Sequence, residues 1–320
     1  MNSWSIAQAN LTSVGVLTFI FGFMAARLKS DVRVPEAIYQ FLSIYLLFGI
    51  GLKGGHSLKS SSLSELAVPA LTTIACGILI PALAFYTLKL IKVLSDVDRG
   101  SIAAHYGSTS LVTFSAGLLF LESNNIFVEG FAPALLTLLE IPGLIVGIFL
   151  ASRSLTSKVS WAMTLKEVLL GKTVLLLAGG LVIGVITTDE GYAKVSPFFV
   201  GLLNGLLVLF LLHLGYMAGS NFSEIKKVGA PLAAFGILFP VVSGLIGVAA
   251  GSLIGLSVGG ATMLGILSAS ASYIAAPAAV TVALPTASPT LALMSSIGIT
   301  FPFNLIVGIP IYFRVAELLG

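Results

Sequence analysis

The stretch from His105 to Gly117 reads His-Tyr-Gly-Ser-Thr-Ser-Leu-Val-Thr-Phe-Ser-Ala-Gly and sets hydroxyls and glycines into surroundings that are almost wholly apolar. A second polar island, Ser268 to Pro277, reads Ser-Ala-Ser-Ala-Ser-Tyr-Ile-Ala-Ala-Pro. Ser108 and Ser110 recur as Ser268 and Ser270 at one offset of 160. Hydroxyls and carbonyls of this kind suit a hard cation such as sodium. Helix N-termini opening beside them carry partial positive charge and favour an anion. The competing reading is packing, because Ser, Thr and Gly are also the residues that let membrane helices approach closely. Two islands in matching positions favour a binding site over packing.

Few ionisable residues interrupt the apolar runs, and each is costly there. Glu140, two residues before Pro142, is the strongest candidate: it could ligate sodium or carry a proton, or simply cap a kinked helix. Aligning Pro142 with Pro302 puts Thr300 opposite Glu140, with Asn304 close by. His105 and His213 read as packing or interface histidines. Glu122, Glu65, Glu224 and Lys53 fall near the ends of runs and can reach water.

Composition sets the solvent. Hydrophobic residues make up 57% and charged ones only 9%, against about 25% charged in soluble chains, so the chain is an integral membrane protein. The single cysteine, Cys76, excludes an intramolecular disulfide, and the three scattered histidines show no zinc-ligand spacing.

Runs long enough to cross about 30 Å of hydrocarbon begin near residues 10, 36, 66, 101, 131, 169, 198, 229, 260 and 291. The first is followed, not preceded, by basic residues (Arg27, Lys29, Arg33), which reads as a retained helix rather than a signal peptide. Assigning the loops to alternate sides divides the 16 Lys and Arg residues 12 against 4. The richer side is cytoplasmic, which places both termini outside.

Sequence landmarks repeat. GILIP at Gly77–Pro81 recurs as GILFP at Gly236–Pro240, LIVGI at Leu144–Ile148 recurs at Leu305–Ile309, and Arg153 recurs as Arg314. These offsets all fall between 159 and 161, which indicates duplication. Five runs per copy is an odd number, so the second copy must lie upside down relative to the first. The expected fold is therefore an all-α integral membrane protein of ten transmembrane helices. It forms two inverted five-helix repeats, over 1–155 and 169–320, joined by a cytoplasmic linker over 156–168. The fourth and ninth spans carry the islands as broken crossing helices.

Further motifs add a resemblance. Val34-Pro35-Glu36-Ala37-Ile38, Ile50-Gly51-Leu52-Lys53-Gly54-Gly55, Ser61 to Glu65, and Pro277 followed by Leu284-Pro285-Thr286-Ala287-Ser288-Pro289 resemble the sodium-dependent bicarbonate transporter superfamily over nearly the whole chain. The resemblance implies an elevator-like sodium/bicarbonate symporter of a bacterial cytoplasmic membrane, assembled as a homotrimer. Its crossing helices match Gly107 to Thr113 and Ala271 to Ala278. With the islands, this makes Gly107, Ser108, Thr109, Ser110, Ser270, Ala271, Ser272 and Tyr273 the expected substrate-binding residues. Ser110, Thr113, Ser272, Glu140, Thr300 and Asn304 are the expected sodium ligands. No cofactor beyond the coupling ion is expected, and no nucleic acid. The cyanobacterial carriers have an acid where this chain has Tyr273, a hydroxyl where it has Ala275, and Gly and Ser where it has Leu111 and Val112. Their cytoplasmic insert is also longer, so a P-II-like regulatory partner is not expected to carry over.

The expected function is secondary transport of a small anion, with bicarbonate leading and another inorganic anion or a small carboxylate as the runner-up. A passive channel is a weaker reading. An intramembrane hydrolase would need a Ser and His, or two acids, at one depth, and His105, His213 and Glu140 show no such spacing.

Overall fold

The computed structural model describes residues 8–59, 62–155, 159–227 and 229–320. Residues 156–158, including Ser157 of the expected linker, and Ser61 of the Ser61 to Glu65 motif lie outside them. Every regular element among the described residues is helical.

Local caps explain where many of these helices start. Ser13 accepts the Val16 N–H at the head of α1 (Val14–Arg27). After α2 (Glu36–Leu58), a capping box between Ser62 and Glu65 opens α3 (Leu63–Leu88). Ser95 caps α4 (Asp96–Gly107), whose first turn carries Asp96 and Asp98 where the helix dipole favours acids. Next come α5 (Leu111–Ser123), α6 (Ala132–Ser152), α7 (Trp161–Leu170) and α8 (Lys172–Ile186), the last two bent by 50° at Gly171. The chain continues through α9 (Asp189–Phe199), α10 (Leu203–Ser220), α11 (Phe222–Lys227) and α12 (Ala230–Leu253). It ends in α13 (Val258–Ala269), α14 (Ala276–Ala283) and α15 (Pro289–Leu319).

Among the described residues, six stretches are long and apolar enough to cross a membrane: α2, α3, α6, α9 with α10, α12 and α15. The bent pair α7–α8 makes a seventh. Large apolar side chains such as Leu17, Phe21, Leu71 and Val182 point outward, as a hydrocarbon solvent allows, so the chain is a multi-pass helical membrane protein. The other three expected spans fall on shorter pieces: α1, the pair α4/α5 and the pair α13/α14.

The helices pack in two groups, α1 with α10 and α2 with α8 forming one, and α3 to α6 with α12 to α15 the other. In the first group the contacts recur. A Cβ on Gly22 would lie 2.2 Å from Leu212 O, and one on Gly215 2.0 Å from Phe19 O. Between α2 and α8, a Cβ on Gly184 would lie 2.4 Å from Leu52 O and one on Gly55 2.1 Å from Leu181 O. Gly22 and Gly184 are 162 apart in sequence, and Gly55 and Gly215 are 160 apart. The second group has its own exchange. Glu129 accepts the Ser257 N–H at 2.7 Å ahead of α13, and Asp98 accepts the Ser288 N–H at 2.8 Å ahead of α15. Shifting Asp98 and Glu129 by 159 gives Ser257 and Ser288, so the two contacts are the same contact with donor and acceptor exchanged.

Candidate functional site

Both islands break their helices. At the first, Ser108 is extended (φ −88°, ψ 166°) and α5 restarts behind Ser110, whose hydroxyl accepts the Thr113 N–H at 3.2 Å. At the second, Ser270 is extended (φ −82°, ψ 163°) and α14 restarts at Ala276, whose N–H bonds the Ser272 hydroxyl at 3.2 Å. Pro277 sits in the first turn of α14, where its missing N–H costs nothing. Short hydroxyl side chains stabilise such breaks because they offer the backbone alternatives to the helical bond.

The two breaks touch. The Ser110 N–H donates to Ser270 Oγ at 3.0 Å, the Thr109 hydroxyl lies 3.0 Å from the same atom, and Ser270 Oγ donates to Leu267 O at 2.9 Å. The Ser272 N–H donates to His105 O at 2.7 Å, tying the second break to the end of α4. Each break thus presents a helix N-terminus, α5 or α14, beside the end of the preceding half-helix.

The 160-residue pairing of serines is displaced here. α13 runs two residues further than α4 relative to that pairing, so Ser270 occupies the place that Ser108 has in the first break, and Ser268 lies inside α13. There Ser268 packs against Gly247, where a Cβ would come within 2.4 Å of its hydroxyl.

A small space of about 10 Å³ lies between the breaks, lined by Thr109, Ser110, Glu140, Thr173, Ser272 and Tyr273 among others. That is room for about one water-sized particle. Glu140 is 1% exposed, and neither of its carboxyl oxygens has a hydrogen-bond partner of good geometry, although Ser108 and the Thr109 backbone lie beside them. The buried Ser108 hydroxyl beside Glu140 and the buried Tyr273 hydroxyl beside Ser110 likewise lack hydrogen bonds of good geometry. A buried carboxyl whose neighbouring hydroxyls are poorly aligned to it is costly unless a cation, a proton or a ligand completes it. The donor set, a carboxylate with hydroxyls, fits a hard cation.

The other expected residues lie apart from this space. Gly107 packs on Gly143 of α6, and a Cβ on Gly143 would fall 1.9 Å from Gly107 O. Ala271 and Thr113 are buried but do not line it. Thr300 donates to Gly236 O at 2.7 Å and accepts from Tyr106 at 2.6 Å. Asn304 donates to Ala269 O at 2.8 Å and accepts from Tyr312 at 2.9 Å. Both sit at the ends of π-helical turns (Ser296–Thr300 and Asn304–Gly308) that flank Pro302 in α15, and Asn304 closes the C-terminal end of α13.

Two larger cavities are each of about 330 Å³. One is lined by Asn10 and Ser13 before α1, the end of α5, Leu211 of α10 and Leu305 of α15. The other is lined by Lys172 and Thr173 of α8, Ala278 of α14, Tyr39 of α2 and Leu144 of α6. Ser13 and Thr173 differ by 160, and Leu144 and Leu305 by 161. Only the second shares lining residues with the small space: Thr173, Tyr273, Ile274 and Ala275. The sequence reading did not include Thr173, and its 160-residue match to Ser13 is the signal that could have found it.

Helices broken at mid-chain, facing one another over buried hydroxyls and a carboxyl, form the candidate site of a multi-pass membrane protein. The model of the Na+-dependent bicarbonate transporter superfamily matches residues 15–317, and the chain belongs to that family. No curated protein matches the chain.

Proposed function

We propose that the protein is a secondary transporter that couples sodium to movement of a small anion, with bicarbonate as the leading substrate. The observation that carries this reading is the junction of the two breaks. Ser110 and Ser270 join there beside the buried carboxyl of Glu140 and the helix N-termini of α5 and α14. A carboxyl and hydroxyls suit sodium, the N-termini suit an anion, and the family supports both ions.

Ten spans in two inverted repeats are the architecture that goes with this reading. It is supported by the exchanged Glu129–Ser257 and Asp98–Ser288 contacts, the matched glycine crossings and the matched cavities. The helix group around α1 and α10 serves as the scaffold, and the group holding the breaks moves against it in an elevator-like step. The homotrimer, the bacterial inner membrane and outward-facing termini belong to the same proposal, whereas a P-II-like regulator does not. The chain transports and does not catalyse.

The test is uptake of labelled bicarbonate into proteoliposomes with and without an inward sodium gradient. Sodium-dependent accumulation is expected, with counterflow of labelled substrate marking a carrier rather than a channel. Uptake indifferent to sodium would overturn the coupling. A second reading, another small anion or a carboxylate, is favoured by Tyr273, which puts a neutral phenol where related carriers have an acid. Competition by nitrate, formate and acetate separates the two.

A further inference from the structure

The cavity at the bend between α7 and α8 holds polar groups that the proposed junction does not use. Gly171 begins α8 with no side-chain cap, so the first turn of this 15-residue helix lines the cavity with uncapped N–H groups. Thr173 is 5% exposed, its buried hydroxyl has no hydrogen-bond partner, and the residue lines both this cavity and the small space beside Ser272 and Glu140. Lys172 gives one ammonium proton to Gln40 Oε1 at 2.7 Å. Gln40 is turned that way because its own amide N–H₂ donates to Glu36 at 2.6 Å. An ammonium has three protons, and Lys172 is half-buried at the cavity wall.

Size separates the two spaces. The junction space, about 10 Å³ in this conformation, accepts a sodium-sized particle, while an oxoanion of several heavy atoms fits the 330 Å³ cavity and reaches the junction only when the breaks move apart. We propose that the first turn of α8, with the Lys172 ammonium and the Thr173 hydroxyl, is an anion-binding station on the route to the buried junction. It takes a small, singly charged oxoanion. Glu167, the acid on the same cavity, opposes the anion and keeps the station weak, as a stop on a conduction path must be if the ion is to leave. The proposal rests on the transport reading above.

The test reads the local field and occupancy directly. In the full-length protein with Cys76→Ser, Ala278→Cys places a thiol on the exposed wall of the same cavity. An anionic thiosulfonate is expected to label it faster than a cationic one, and bicarbonate to slow labelling. Lys172→Gln, which removes the charge and leaves a polar side chain, should shift the anionic-to-cationic rate ratio by about tenfold and abolish protection. Lys172→Arg should preserve both. Thr173→Val should weaken protection while leaving the rate ratio intact, and Thr173→Ser should restore it. Absence of protection in the parent, or a ratio and protection unchanged in Lys172→Gln and Thr173→Val, overturns the station. Sodium-driven bicarbonate uptake by the parent, measured in parallel, separates that result from failure of the transport reading.

Discussion

Ser270 holds the junction together with one oxygen. It accepts the Ser110 N–H, bonds the Thr109 hydroxyl and donates to Leu267 O. Ser270→Ala therefore leaves a buried N–H unpaired, a cost of about 1–3 kcal/mol, and is expected to lower the unfolding temperature as well as weaken ion binding. Ser110→Ala removes the cap of α5, worth about 1 kcal/mol. Unfolding curves that both match the parent would reduce the serines to packing residues. Glu140 is different because its oxygens, with Ser108 and the Thr109 backbone beside them, have no hydrogen-bond partner of good geometry. Glu140→Gln keeps its shape and removes its charge, so the sodium and pH dependence of transport should change while the fold persists. A parental sodium and pH profile in a folded variant would make Glu140 structural.

At the scale of helices, close approach of backbones fixes the group of α1, α2, α8 and α10. A Cβ on Gly55 would sit 2.1 Å from the Leu181 carbonyl, and backbone cannot yield as a side-chain tip can. Gly55→Ala must separate α2 from α8 and is expected to cost about 3 kcal/mol. Gly205, where an added methyl group would meet nothing within 4 Å, provides the comparison: Gly205→Ala in α10 should be neutral or slightly stabilising. Equal melting temperatures for the two variants would show that the crossing is loose. The π-helical turns of α15 belong to this scale too, since they carry the helix past Pro302 and bring Asn304 to the end of α13.

For the whole molecule, sidedness is the decisive property. On the proposed topology, which follows the 12 to 4 division of Lys and Arg, the α7 end of the linker lies inside and the C-terminus outside. Single cysteines at Ser160 and Gly320, in a Cys76→Ser background, should therefore be labelled by impermeant reagents from opposite faces of oriented vesicles. Labelling of both from one face would remove the inverted arrangement, because an odd number of spans must separate them.

Several of these properties were legible in the residues alone. Composition names the solvent, since a chain with 9% charged residues cannot cover itself in water. Serine and glycine clusters stand out against apolar runs, so both breaks were visible, and the ordered motifs led to the family whose model matches residues 15–317. The tertiary structure decided which polar groups meet. It put Ser270, not Ser268, at the end of its half-helix, because α13 runs further than α4. It occupied Thr300 with Tyr106 and Gly236, and Asn304 with Ala269 and Tyr312, while bringing Thr173 to the wall of the small space. Hydrophobic periodicity reports which face of a helix is apolar. Partners for a hydroxyl depend on where helices distant in sequence cross, and a shift of two residues turns a side chain by about 200° around a helix of 3.6 residues per turn.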